Sequence, residues 1–177
     1  SKGLIKKTTL AEYVRINRNG KYALRFKMEG DELVNVRVAT DEHDIVMISS
    51  TGYASRFSCN RIRASGRVSG GIFGIKTGNR KNADGGHVVG MIVTSNYETQ
   101  IITITKNGQA KRTRVGTAEK IPDLDANGIQ RLNDDGSLKF INDGYRRTRN
   151  GAKGITTMKL DENNGDEIVA VRQIPNV

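Results

Sequence analysis

The sequence predicts an all-β fold of propeller-like blades, with about four strands to a blade and about three blades in the chain. Three observations predict it. Helical periodicity is almost absent, strand-turn-strand signals recur along the chain, and a unit of about fifty residues repeats. Composition agrees: the 177 residues include 20 Gly and 2 Pro, which suits tight turns between paired strands. There is no Trp and aromatics make up 5%, so Ile and Val must do most of the packing.

Only Thr8-Thr9-Leu10-Ala11-Glu12-Tyr13 suits a helical turn. Strands are expected at Tyr22 to Lys27 and at Leu33 to Val38. Ile45-Val46-Met47-Ile48 meets a turn at Thr51-Gly52 and returns as Tyr53 to Phe57. Val88 to Val93 reads as a strand. Ile101 to Thr105 meets Asn107-Gly108 and returns as Gln109 to Thr113. Asn-Gly closes hairpins because both turn residues need positive φ. Ile168 to Ile174 is the last strand.

The repeat sets the architecture. A turn glycine is followed four residues later by a base at Gly3 and Lys7, Gly52 and Arg56, and Gly108 and Arg112. These glycines lie 49 and 56 residues apart. Each unit continues into a basic, Gly-rich stretch: Arg15 to Gly20, Arg67 to Gly71, and Arg147 to Gly154. Each then closes on a glycine and an aliphatic strand. A unit of this size cannot bury its own core, so units must stack. The expected blades are 1–40, 41–94 and 95–177, within one domain spanning 1–177. The third carries an insertion at 115–143, read as hairpins turning at Asn127-Gly128, Asp135-Gly136 and Asp143-Gly144, with strand-like Ile129 to Leu132 and Leu138 to Ile141.

Lys and Arg total 29 against 19 acids, a net charge of +10. Such a field favours a polyanion. The insertion holds six acids and three bases, so it carries −3 and the rest +13. The binding surface is therefore expected on the blades. No apolar run approaches the ~20 residues that span a bilayer. No basic amphipathic helix is evident, so nucleic acid is preferred to a membrane. The lone Cys59 has no internal disulfide partner, which fits a reducing compartment.

Several strings resemble the C-terminal domain of the DNA gyrase A subunit. They are Lys2-Gly3-Leu4-Ile5-Lys6-Lys7-Thr8, Glu29-Gly30-Asp31-Glu32-Leu33-Val34, Ile62-Arg63-Ala64-Ser65-Gly66-Arg67, and Ile102 to Thr113, with Asn164-Gly165 before Ile168-Val169. The resemblance covers nearly all of the chain outside the insertion. It implies a β-pinwheel, a propeller-like disc whose blades exchange strands, with duplex DNA bent around a basic outer rim. It also implies a non-catalytic part of an ATP-dependent type IIA topoisomerase that introduces negative supercoils. The implied partners are the remainder of the gyrase A subunit, with the gyrase B subunit, in an A2B2 assembly in the cytoplasm with the nucleoid. No cofactor and no catalytic residue is expected in this fragment. Three departures stand out: fewer blades than the family's five or six, no strand preceding Ser1, and no Q-R-R-G-G-x-G box. Tyr145 to Gly154 is a degenerate echo of that box. The chain is therefore expected to be the middle blades of a larger disc.

A rim that wraps DNA needs cations along a curved face, because they neutralise phosphates and release counterions. The expected contacts are Lys6, Lys7, Arg15, Arg18, Arg56, Arg61, Arg63, Arg67, Lys111, Arg112, Arg146, Arg147, Arg149 and Lys153. A solvated surface charge is the bland alternative for each. Gly70-Gly71-Ile72-Phe73-Gly74 lacks the Gly-Lys-Ser/Thr ending of a phosphate loop and reads as a blade turn. His43 and His87 stand alone. Asp123 to Gly128 starts like a calcium loop, but Asp134 stands where Glu is expected, so a polar turn is the default and no metal is assigned. The alternatives are the topoisomerase IV equivalent, a protein-interaction propeller with an acidic partner, and an RNA-binding all-β protein.

Overall fold

The computed structural model describes residues 1–78 and 85–174. Its strands run β1 (Leu4–Ile5), β2 (Asp44–Ser49), β3 (Tyr53–Ser58), β4 (Ile72–Phe73), β5 (Val88–Thr94), β6 (Gln100–Thr105), β7 (Ala110–Arg114), β8 (Lys120–Pro122), β9 (Phe140–Asn142), β10 (Ile155–Thr156) and β11 (Ile168–Ile174). Short 3-10 turns at Leu10–Tyr13, Cys59–Arg61 and Glu162–Asn164 are the helical pieces among the described residues. The sheets have the orders β1-β4, β10-β3-β2-β5, β11-β6-β7 and β8-β9.

The repeat is visible in space. The β2–β3 hairpin turns at Gly52 and β5 returns to pair with β2. The β6–β7 hairpin turns at Gly108 and β11 returns to β6. Between the repeats, short strands are exchanged. β4 belongs to the second repeat but pairs with β1 of the first, and β10 belongs to the third but pairs with β3 of the second. Glycine permits the second exchange. Gly52 has φ +85° and a Cβ there would come 2.7 Å from the Met158 carbonyl oxygen. Gly154 has φ +91° and a Cβ there would collide with the Ala54 carbonyl. Only glycine offers that approach without strain. Gly3 and Gly71 hold the same places in the first exchange.

Stacking buries two apolar clusters. Val46, Ile48, Ala54 and Ile92 of the middle sheet meet Ile101, Val115, Tyr145, Ile168 and Val171 of the third repeat. On the other face Ile45, Met47 and Phe57 meet Ile62 and Ile75, with Ile5, Val34 and Ala39 of the first repeat against them. β2 is buried at all six positions, as its unbroken apolar run requires of a strand covered on both faces. β6 is buried only at alternate positions.

Two expected strands are not formed. Tyr22 to Lys27 and Leu33 to Val38 pair with no strand among the described residues. Their patterns are extended, but a strand needs a partner for its N–H and C=O groups. Val34 and Ala39 still pack on the core, and the Asn35 side-chain oxygen accepts from the Met91 N–H at 2.8 Å.

The insertion is an arm. Three positions separate buried Cys59 from buried Ile62, whereas thirty separate buried Val115 from buried Tyr145. The β8–β9 ladder is continued by single bridges, Leu124 with Gln130 and Leu132 with Leu138. Asp125 caps a polar turn, accepting from the Asn127 and Ile129 N–H groups at 2.9 Å each. Asp143 at the base accepts from the Thr117 N–H at 2.9 Å and pairs with Arg114.

Candidate nucleic-acid interface

β5 and β11 lie against each other, and a Cβ on Gly90 would meet the Val171 Cβ at 3.2 Å. In the middle sheet the exchanged β10 stands at the opposite edge from β5. The exchanged strands and the loops leading into them therefore make an outer rim. Backbone bonds stitch it together across repeats. The Gly74 N–H donates to the Gly3 carbonyl at 2.9 Å, Gly151 N–H to Gly74 at 3.0 Å, and Lys76 N–H to Ala152 at 3.0 Å. The two rim loops are seated alike, with Ser65 N–H on the Lys7 carbonyl at 2.9 Å and Thr148 N–H on the Arg56 carbonyl at 2.7 Å.

Arg63 and Arg146 occupy the same position in these loops, one residue beyond buried Ile62 and Tyr145. Both are exposed and pair with nothing among the described residues. Arg61 and Arg149 flank them and are equally exposed. Arg15 and Arg18 lie exposed on the irregular segment of the first repeat. Other expected contacts are tethered. Lys6 donates to the Ala23 carbonyl at 2.8 Å and to the Arg67 carbonyl, and burial, then the Arg67 charge, pushes its pKa down against the pull of Glu12. Lys7 donates to Asp41 at 2.6 Å and to the Cys59 carbonyl at 3.2 Å. Arg67 lies 3.5 Å from Glu12 and donates to the Tyr22 carbonyl. Lys111 donates to the Thr157 carbonyl at 2.7 Å, and the Lys153 ammonium sits 4.1 Å from the Tyr53 ring centroid. Arg147 is half exposed and hydrogen-bonded to Asp44 at 3.1 Å, which raises its pKa.

Arg56 does not belong to the rim. Its side chain is fully enclosed. Its Nε and Nη2 donate to Asp44 at 2.8 and 2.6 Å, and its Nη1 donates to the carbonyls of Val115, Gly116 and Tyr145 at 2.8 Å each. A guanidinium can satisfy so many acceptors at once because its five N–H groups form a rigid fork. The base that follows the turn glycine is therefore a strut between repeats at Gly52, while Arg112, after Gly108, is exposed and has no partner among the described residues. Lys7, the same position one repeat earlier, reaches the Cys59 carbonyl, which is the counterpart of Val115.

Comparison with known proteins decides the family. The model of the DNA gyrase C-terminal domain, beta-propeller, matches residues 1–40, 43–95, 99–142 and 142–175. The chain belongs to the DNA gyrase C-terminal domain family. The DNA gyrase A subunit of Staphylococcus epidermidis is 32% identical over 93% of the chain, and that of Staphylococcus aureus is 32% identical over 94%. The chain spans 15% of the length of these relatives. Among solved structures, the C-terminal domain of DNA topoisomerase IV aligns with a TM-score of 0.60 at 18% identity, covering 97% of this chain and 59% of that one. The E. coli ParC C-terminal domain aligns with a TM-score of 0.54 at 14% identity, covering 85% and 49%. These likenesses concern the fold.

The rim of this gyrase C-terminal domain carries two cations that sequence reasoning passed over. Lys76 and Lys159 are exposed and without a side-chain partner among the described residues. Each stands five residues after a positive-φ rim glycine, Gly71 and Gly154. That spacing was the available signal.

Proposed function

We propose that this chain is a non-catalytic element that binds and bends duplex DNA along its outer rim, within the A subunit of a type IIA topoisomerase of the gyrase kind. One observation carries the reading. Rim segments of successive repeats are hydrogen-bonded into a single band, and that band places exposed bases, without a side-chain partner among the described residues, at equal repeat positions, Arg63 with Arg146 and Lys76 with Lys159. Cations spaced along a band suit a phosphate backbone, which presents charge at regular intervals and carries no base information. Gly-rich turns add backbone N–H groups that phosphates can approach. In this reading the chain works in the cytoplasm beside the nucleoid, joined to the other regions of the gyrase A and B subunits, which supply strand cleavage and ATP turnover. It needs no cofactor of its own.

The test is binding to duplexes of increasing length across a salt series. Affinity that grows with length and falls with a slope of several phosphates supports the proposal. Salt-insensitive or undetectable binding overturns it. Relaxing a closed circular plasmid with a type I topoisomerase in the presence of the chain separates wrapping from simple attachment. A change of linking number marks wrapping, and its absence with binding intact favours the weaker-wrapping topoisomerase IV mode.

A further inference from the structure

The two rim loops are seated alike, yet only one of them carries the arm. In the second repeat, buried Cys59 and Ile62 are joined by Asn60 and Arg61, both exposed. In the third, the same place between buried Val115 and Tyr145 is filled by residues 116–144. The arm therefore stands on the rim itself, immediately before Arg146. Asp143 is three residues from Arg146, at most about 11 Å of chain. That is close to the Debye length, about 10 Å in 0.1 M salt, so charge at the arm's root is felt at Arg146.

The root is clamped in that place. From within, the Arg56 Nη1 donates to the carbonyls of Val115, Gly116 and Tyr145. From outside, Arg114 pairs with Glu98 at 3.0 Å and with Asp143. The Tyr145 N–H donates to Val115 at 2.9 Å, Gly116 N–H to Tyr97 at 2.8 Å, and Asp143 N–H to Glu119 at 2.8 Å. The charge beyond this root is turned outward. Of the arm's three bases, Arg131 and Lys139 both lie against Asp123. Glu119 and Asp134 are exposed, and their side chains have no partner among the described residues. Asp125 accepts from the Ile129 and Asn127 N–H groups, and Asp135 from the Ser137 hydroxyl and N–H. These bonds hold both carboxyls below the usual carboxylate range, so both stay ionised at neutral pH.

We propose that the arm is a fixed electrostatic barrier, which pushes duplex DNA off the rim at the third repeat and so limits the length of duplex that the chain holds. The inference rests on the rim reading. A duplex that follows the bases from Arg61 and Arg63 toward Arg146 and Arg149 meets Glu119, Asp125, Asp134 and Asp135 on the arm, where the second repeat offers Arg61. Carboxylates beside phosphates repel them and offset part of the attraction of Arg146. The chain thus holds DNA at one loop and turns it aside at the equivalent loop of the next repeat.

Duplex binding and nuclease footprinting of the full chain across a salt series test this. Glu119→Gln with Asp134→Asn removes two charges at exposed positions and leaves the hydrogen-bonded turns in place. It is expected to tighten binding of a long duplex by about three- to tenfold at low salt, with the gain fading as salt rises. Replacing residues 116–144 by an Asn-Arg pair, as in the second repeat, is expected to tighten binding at least as far and to lengthen the protected stretch. Glu29→Gln with Glu32→Gln removes two exposed charges from the first repeat and controls for net charge, with an expected change of less than about twofold. If the unaltered chain binds and the arm variants leave affinity unchanged, weaken it, or raise it no more than the control does, the barrier is overturned and the rim reading stands. Absence of salt-dependent binding by all four chains overturns the rim reading, and the barrier with it.

Discussion

Removing the Arg56 guanidinium would leave Asp44 and three backbone carbonyls enclosed with fewer donors than they need. Arg56→Ala is expected to destabilise the chain by about 3–5 kcal/mol in denaturant unfolding, the cost of stranding a buried partner. Arg147→Ala removes a half-exposed contact to the same carboxylate and is expected to cost about 1 kcal/mol or less. Asp143 answers to pH. The Thr117 N–H, followed by the Arg114 and Thr117 side chains, holds its carboxyl below the usual range despite burial. A carboxyl depressed on folding adds stability above its unfolded pKa, about 3.9, and that contribution is lost as pH falls through the lower folded value. Acidification below about pH 4 should therefore loosen the base of the arm, seen as faster amide exchange at Thr117, and Asp143→Asn should remove that dependence. At this scale the sequence is a partial guide. Lys7, Arg56 and Arg112 recur after turn glycines, which marks a shared place in the fold as readily as a shared ligand. Only the enclosure of Arg56 separates the two.

The exchanged strands set the behaviour of the elements. Gly154→Ala places a Cβ against the Ala54 carbonyl at a positive φ, whereas Gly108→Ala meets only open space. The first is expected to cost more than about 2 kcal/mol and the second about 1 kcal/mol, the left-handed backbone penalty alone, as read from paired thermal melts. The hairpins at Gly52 and Gly108 could be read from local sequence because turn residues and flanking strands sit side by side. The partners of β4 and β10 could not, because strand pattern fixes which residues extend and not which edge receives them. The same limit explains Tyr22 to Lys27 and Leu33 to Val38, which pair with no strand among the described residues.

Across the whole molecule the charge divides. Within the arm Asp123 lies between Lys139 at 3.1 Å and Arg131 at 3.6 Å, while Arg63 and Arg146 on the rim pair with nothing among the described residues. Replacing Arg63 and Arg146 together by alanine should reduce the salt slope of DNA binding by about two, roughly one for each phosphate no longer neutralised, with little change in stability. The exchange of β10 into the sheet of β3 has one more consequence. A scission of the backbone at exposed Asn96, between β5 and β6, would release no free piece. The two halves would stay joined by the β10–β3 pairing and the buried apolar cluster between the second and third repeats, and would part only when that sheet and that cluster come undone.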